Sequence, residues 1–548
     1  MTRRYIARHR LEKKDPSAPV SEAMEPIVYY LDPGVPEPVR SALMEGASWW
    51  NEAFESAGYR NAFRVEMLPE GADPLDVRYN VINWVHRATR GWSYGSGVID
   101  PRTGEIIKGH VLLGSLRVRQ DYLLAEGLLS PYTEPGVVPS EMREMALARI
   151  RQLSAHEVGH TLGLDHNFLA STADRASVMD YPHPVVRLRE DGSLDLSDAY
   201  ATGIGDWDRV TIAYGYSDFP DGIDERAVLG RILDEARERG LMFLDDAAAR
   251  PAGSAHPGAH LWDNGIDAAA ELERVMAVRR AALERFGESA VRHGMPLATL
   301  EEALVPLYLH HRYQVEATAP IVGGQYYSYA LRGDGQVPLR RVPAGEQRAA
   351  LETLLETLSP AALVLPRTVV DLIPPRPAGY PAHRELFDRY TGVTFDPIAP
   401  AGVAARLTVS LLLHPERAAR LVEQVALDPG LPGLEDVLDR LEAATFGARP
   451  DDAYEAEVLR LVEDVVVDEL ITLAASAPMP QVRGLAAHRL RSLGELLAER
   501  DGGVAEEAHA QRLADEIRRF LDRPAEPTDR SEPLPAPPGS PIGASLGD

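Results

Sequence analysis

His156-Glu157-Val158-Gly159-His160-Thr161-Leu162-Gly163-Leu164-Asp165-His166 is the most informative stretch of this 548-residue chain. Residues at i and i+4 share one face of a helix, so His156 and His160 can aim imidazole nitrogens at a single ion. Glu157 lies one residue round the helix, able to reach a water at that ion without ligating it. Gly163 can adopt the left-handed backbone that ends a helix, after which the chain can return His166 as a third ligand. Three protein ligands leave one tetrahedral position for water, the arrangement of a catalytic rather than a structural zinc. Such an ion lowers the pKa of its water to about 7 and polarises a carbonyl. Glu157 is then the expected general base, taking the proton as attack begins and passing it to the leaving amine. Chance coincidence of all five specified positions arises in roughly one chain in 10,000 of this length. That rarity sets aside a purely structural role for the three histidines.

Composition narrows the alternatives. Cysteine is absent, which excludes disulfides and any thiolate metal site, so a metal must be held by histidine and carboxylate. The formal net charge of −26 repels phosphate backbones and argues against a nucleic-acid partner. Hydrophobic residues at 45% and charged residues at 26% are ordinary for a globular protein, and the length calls for more than one domain. No apolar run approaches the roughly 20 residues of a membrane span. The basic start Met1-Thr2-Arg3-Arg4-Tyr5 is followed by no apolar stretch, so no signal peptide is expected on this chain.

Outward from the histidines, the pattern is α+β. Pro26-Ile27-Val28-Tyr29-Tyr30-Leu31 reads as a buried strand, and Val39, Leu43, Ala47, Trp50 and Phe54 recur at helical spacing. Phe63 to Met67 and Val77 to Val85 are further strands. Trp92 to Ile99 and Glu105 to Leu113 read as two more, joined by a turn over Asp100-Pro101-Arg102-Thr103-Gly104. Ser140 is read as the N-cap of the long helix that carries the histidines. Beyond about residue 220 the periodicity is helical, in segments near 223–243, 266–287, 345–358, 402–425, 433–446, 452–476 and 480–500, with a short hairpin expected within 321–331. The expected organisation is therefore a mixed α/β unit over 1–220, a predominantly α-helical region over 221–522, and a Pro-rich disordered tail over 523–548.

Eleven residues past His166 comes Ser177-Val178-Met179-Asp180-Tyr181-Pro182. Together with the long histidine motif, this resembles the metzincins. The resemblance implies a mixed twisted sheet, an active-site helix and a Met-turn that sets Met179 beneath the three-histidine zinc. It also implies that Tyr181 matches the tyrosine that astacin-like and serralysin-like members use as a displaceable ligand or oxyanion stabiliser. Pro26 to Tyr30, Trp50-Asn51-Glu52-Ala53-Phe54, Asp100 to Glu105 and Gly203-Ile204-Gly205-Asp206-Trp207-Asp208 are similar to a bacterial zinc-dependent metalloprotease family whose catalytic region is called the Met-zincin domain. Longer members carry further domains ahead of this region and usually an export signal. The likeness thus implies an N-terminally shortened chain and an extracytoplasmic workplace, in the cell envelope or secreted.

The expected function is a zinc metalloendopeptidase with one catalytic Zn2+, metal ligands His156, His160 and His166, catalytic Glu157 and Tyr181, and Gly163 and Met179 as structural parts of the site. Its partner is a peptide or protein substrate. The family binds substrate extended along an edge strand, for which Glu105 to Leu113 is the candidate. A specialised peptidase with one dedicated target and a non-catalytic zinc-binding scaffold are the alternatives, and the oligomeric state is left open. His183 reads as a loop residue. His310-His311 reads as structural, because adjacent helix residues diverge by about 100°.

Overall fold

Burial alternates along Ile27–Leu31 (β1), which turns Ile27, Tyr29 and Leu31 into the core. The computed structural model describes residues 4–87, 92–522 and 537. With Phe63–Met67 (β2), Asn80–Val85 (β3), Tyr94–Ile99 (β4) and Ile106–Gly114 (β5), β1 forms a five-stranded sheet in the order β2-β1-β3-β5-β4. The first four strands in that order are parallel, and β4 alone runs antiparallel, at the edge. The expected turn between β4 and β5 is present, with Gly104 at φ +79° and its N–H bonded to Asp100 O at 2.8 Å.

One expectation is corrected by this order. The run Glu105 to Leu113 lies in β5, which is paired on both sides, so its backbone groups are taken. The two edges of the sheet are β2 and β4, and it is β4, next to β5, whose residues are largely exposed. Which strand of a hairpin lies outermost depends on what the other strand pairs with, and β5 pairs with β3 through residues such as Ile82 and Val111.

Val39–Ser48 (α1) and Trp50–Ser56 (α2) replace the single helix expected over this stretch, with a break at Trp49. After Leu116–Leu129 (α3) comes the histidine-bearing helix Ser140–Thr161 (α4). Its N-cap position is filled by Pro139, not Ser140. Pro139 is extended at ψ 142°, and Ser140 is already helical, its hydroxyl turned to Glu141 at 3.3 Å. From Met145 onward α4 is buried or half-buried all round, polar residues such as Arg149 and Gln152 included, because it is shared between two cores. Met142 and Met145 pack with Leu124, Leu272, Leu304 and Tyr308 of the helical part, whereas Ile150, Leu153, Val158 and Leu162 pack with Tyr29, Leu43, Trp50, Phe54 and Val111. The helix that presents the histidines is therefore clamped along its length.

The expected later helices are present as Glu225–Glu238, Ala268–Arg285, Ala344–Glu356, Leu434–Thr445, Ala453–Ser476 and Pro480–Ala498. The segment read as one helix near 402–425 is two, Ala399–Leu412 and Pro415–Leu427, since Pro415 has no N–H to continue the first. Helices Leu300–Tyr308, Arg312–Thr318 and Val504–Asp522 were not anticipated. Gln325–Tyr327 does form a hairpin, but with Leu339–Arg341, beyond the expected 321–331. Among the described residues no single helix is long and apolar enough to cross a membrane. Apart from Pro537, the Pro-rich tail lies outside the described residues.

One stretch of the post-220 sequence matters for the site. Leu244, Ala248, Ala249, Ala259 and Leu261 form a small apolar cluster with Phe168, Leu169 and Tyr181. This cluster seats the short helix Asp246–Ala249 beside the third histidine.

Candidate metal centre

The last turns of α4 set His156 and His160 on one face, with ring centroids 4.8 Å apart. The helix stops at Thr161, Gly163 follows at φ +90°, and Leu164 N–H bonds back to Gly159 O at 3.1 Å. This reversal brings His166 round to the other two. His160 Nε2 lies 3.1 Å from His156 Nε2 and 3.0 Å from His166 Nε2.

Those short separations bear on whether a metal fits. Each Nδ1 faces an acceptor: Val178 O at 2.7 Å from His156, Leu164 O at 2.9 Å from His160, and Asp246 Oδ2 at 2.8 Å from His166. Each Nδ1 therefore carries the proton, and each Nε2 presents a bare lone pair. Burial, aided by the neighbouring rings, drives His156 well below its ordinary pKa and His160 down to about 4, so neither ring gains a second proton. Three lone pairs facing one another repel unless a cation lies among them. The donor set fits zinc. Among the described residues this trio is the one cluster of three or more His, Asp or Glu side chains with its ligand atoms so gathered.

Glu157 is buried, and its carboxylate accepts a hydrogen bond from Gly95 N–H on the edge strand β4. Burial pushes its pKa up to about 8, against the opposing pull of the buried Arg149 guanidinium and the Gly95 N–H. Met179 is 1% exposed and packs against Gly159 of α4. A Cβ at Gly159 would lie 2.3 Å from Met179 Sδ and 2.7 Å from Trp50, so only glycine lets the turn approach the helix here. The turn is pinned by Asp208, which accepts hydrogen bonds from Ser177 Oγ at 2.6 Å, Val178 N at 2.9 Å and Gly205 N at 2.8 Å. Tyr181 packs its ring 4.8 Å from His156 and 4.7 Å from His166, and its hydroxyl bonds the Arg250 guanidinium. Burial raises its phenol pKa.

All the residues expected at the site are thus brought together. His183 and His310 lie elsewhere, buried against each other with ring centroids 4.7 Å apart. Sequence reasoning missed Gly95, Gly159, Asp246, Arg250 and Trp262, the last stacked over Tyr181 at 6.4 Å. Asp246 also bonds Arg250, and these two partners outweigh burial, holding its carboxyl down to about 2. An Asp-Asp helix start at 245–246 was the only local signal, and it is a common one.

Helix and reversal together bring three histidine side chains close enough to bind one metal ion. The Met-zincin family matches residues 139–452, and the chain belongs to that family, which points to a zinc metalloprotease-type function. No curated protein and no solved structure matches the chain.

Proposed function

We infer that the chain is a zinc-dependent metalloendopeptidase, with His156, His160 and His166 as ligands and Glu157 as general base. The observation carrying this reading is the convergence of three Nε2 atoms beside a buried carboxylate that is not one of them. Zinc held there supplies polarisation of the scissile carbonyl and a water acidified towards neutrality. Glu157 takes the proton of the attacking water and returns it to the leaving nitrogen, a task suited to a carboxyl whose proton affinity is raised by burial. The hydroxyl of Tyr181, held by Arg250, is the oxyanion donor in this reading. The open edge of β4 is the docking strand: it offers unpaired backbone groups to an extended peptide, and Gly95 links it directly to Glu157.

A mixed peptide library incubated with and without a zinc chelator tests the reading. Chelator-sensitive cleavage at many sites is the expected result. Cleavage at a single site would mark a specialised peptidase, and no cleavage by zinc-loaded protein would overturn the assignment in favour of a scaffold.

Asp246 is part of the same proposal, as the group that orients His166. Asp246→Ala is expected to weaken zinc binding by roughly 10–100-fold, read by competition with a chromophoric chelator. Unchanged affinity would mean that His166 is oriented without it.

A further inference from the structure

One helical turn before His156, α4 borders a second cavity, behind the turn that carries Met179. Gln152, Ser171, Asp180, Asp263 and Asn264 are among its walls, and with its mouth it encloses about 480 Å³. Asp180 and Asp263 are each 4% exposed. Two carboxylates so deeply buried ordinarily have a cation between or beside them. Here Asp180 accepts from two backbone N–H groups, that of Tyr181 at 2.7 Å to Oδ1 and that of Ser171, and Asp263 Oδ2 accepts from Ser171 Oγ at 3.1 Å. Burial pushes both carboxyls upward, Asp263 to about 6, and at Asp180 the charge of Asp263 adds to it. The group that most offsets burial at Asp263 is the His260 side chain, whose Nε2 also faces Glu316 at 3.4 Å. Arg175, at the cavity wall, is committed to Asp198 at 3.1 Å.

Two oxygens complete the picture. Asp263 Oδ1 has no hydrogen-bond partner, and neither does Oε1 of Gln152, a side chain only 2% exposed that belongs to a different element. The Gln152 amide nitrogen points instead at Val178 O, 3.5 Å away. Every unmet atom here is therefore an acceptor, and every one is oxygen. Oxygen-only donor sets with two carboxylates select hard divalent cations, and an added neutral amide oxygen favours calcium, which takes carbonyl ligands, over magnesium, which keeps much of its water.

We propose that this cavity is a calcium site formed by Asp180, Asp263 and the Gln152 side-chain carbonyl, which braces the Met179 turn against α4. Val178 links the two sites: its carbonyl accepts from His156 Nδ1 at 2.7 Å, and Gln152 reaches the same atom. Calcium thus stabilises the turn on which one zinc ligand leans, without touching the zinc ligands themselves.

The test uses the zinc-loaded full chain in calcium-depleted buffer, titrated with calcium chloride. Expected are a saturable rise in Tm of several degrees and one bound calcium per chain beyond the zinc by elemental analysis. Asp263→Asn and, as a variant that alters no charge, Gln152→Leu should each weaken calcium binding at least tenfold with zinc content unchanged. A wild-type Tm indifferent to millimolar calcium, with no calcium retained, would overturn the proposal and leave the carboxyls sharing a proton. Because zinc content and calcium content are read separately, failure here leaves the peptidase reading standing, and the reverse holds too.

Discussion

Glu157→Ala is expected to retain one zinc per chain while losing hydrolysis by about 10²–10⁴-fold, the usual contribution of a positioned general base. Retention of metal follows from the hydrogen bonds of the ligands. The three imidazoles are oriented by Val178 O, Leu164 O and Asp246, none of which touches the Glu157 carboxylate. Loss of rate follows from the absence of a substitute. Asp246, the carboxylate nearest in role, is turned to His166 Nδ1 and Arg250. Folding should survive, because the change removes a buried carboxyl whose ionised form is disfavoured where it stands. The measurement is kcat/KM on a fluorogenic peptide alongside zinc content of the same preparation. Wild-type turnover in this variant would remove Glu157 from the mechanism.

His160→Ala should instead abolish both metal and activity. His160 is the middle ring, with its Nε2 near both of the others, so its loss leaves two nitrogens that no longer enclose an ion. Zinc content after dialysis is expected to fall from one per chain to nearly none. The variant should also lose any zinc-dependent rise in Tm, since a ligand stabilises only the state that binds it. A variant that kept stoichiometric zinc would show that the ion is held by some other set of groups. The two substitutions separate cleanly: one takes the chemistry and leaves the metal, the other takes both.

From α4 to Tyr181, fifteen residues past His166, the site was legible because its parts are covalently close. The helical repeat alone puts His156, Glu157 and His160 in their relative places, and Gly163 turns the chain within one residue. Met179 and Tyr181 were placed through resemblance, and the packing of Met179 beneath Gly159 is the physical counterpart of that expectation. The boundary drawn near residue 220 carried no signal that the sequence just beyond it returns to the histidines. Asp246 and Arg250 look like any helix start and any surface cation until Leu244, Ala248 and Leu261 dock on Phe168 and Tyr181.

Local periodicity, then, was enough for the histidine-bearing helix and the rough extent of the five strands of the main sheet. Those features depend on residues a few positions apart, whose geometry the backbone itself dictates. Strand order, the exposed edge at β4, the Gly95 contact to Glu157, the Asp246 bond to His166 and the oxygen-lined cavity at Asp180 and Asp263 were settled only by the folded chain. Each joins residues tens of positions apart, and such contacts are selected by the packing of whole faces, which no short window of sequence contains.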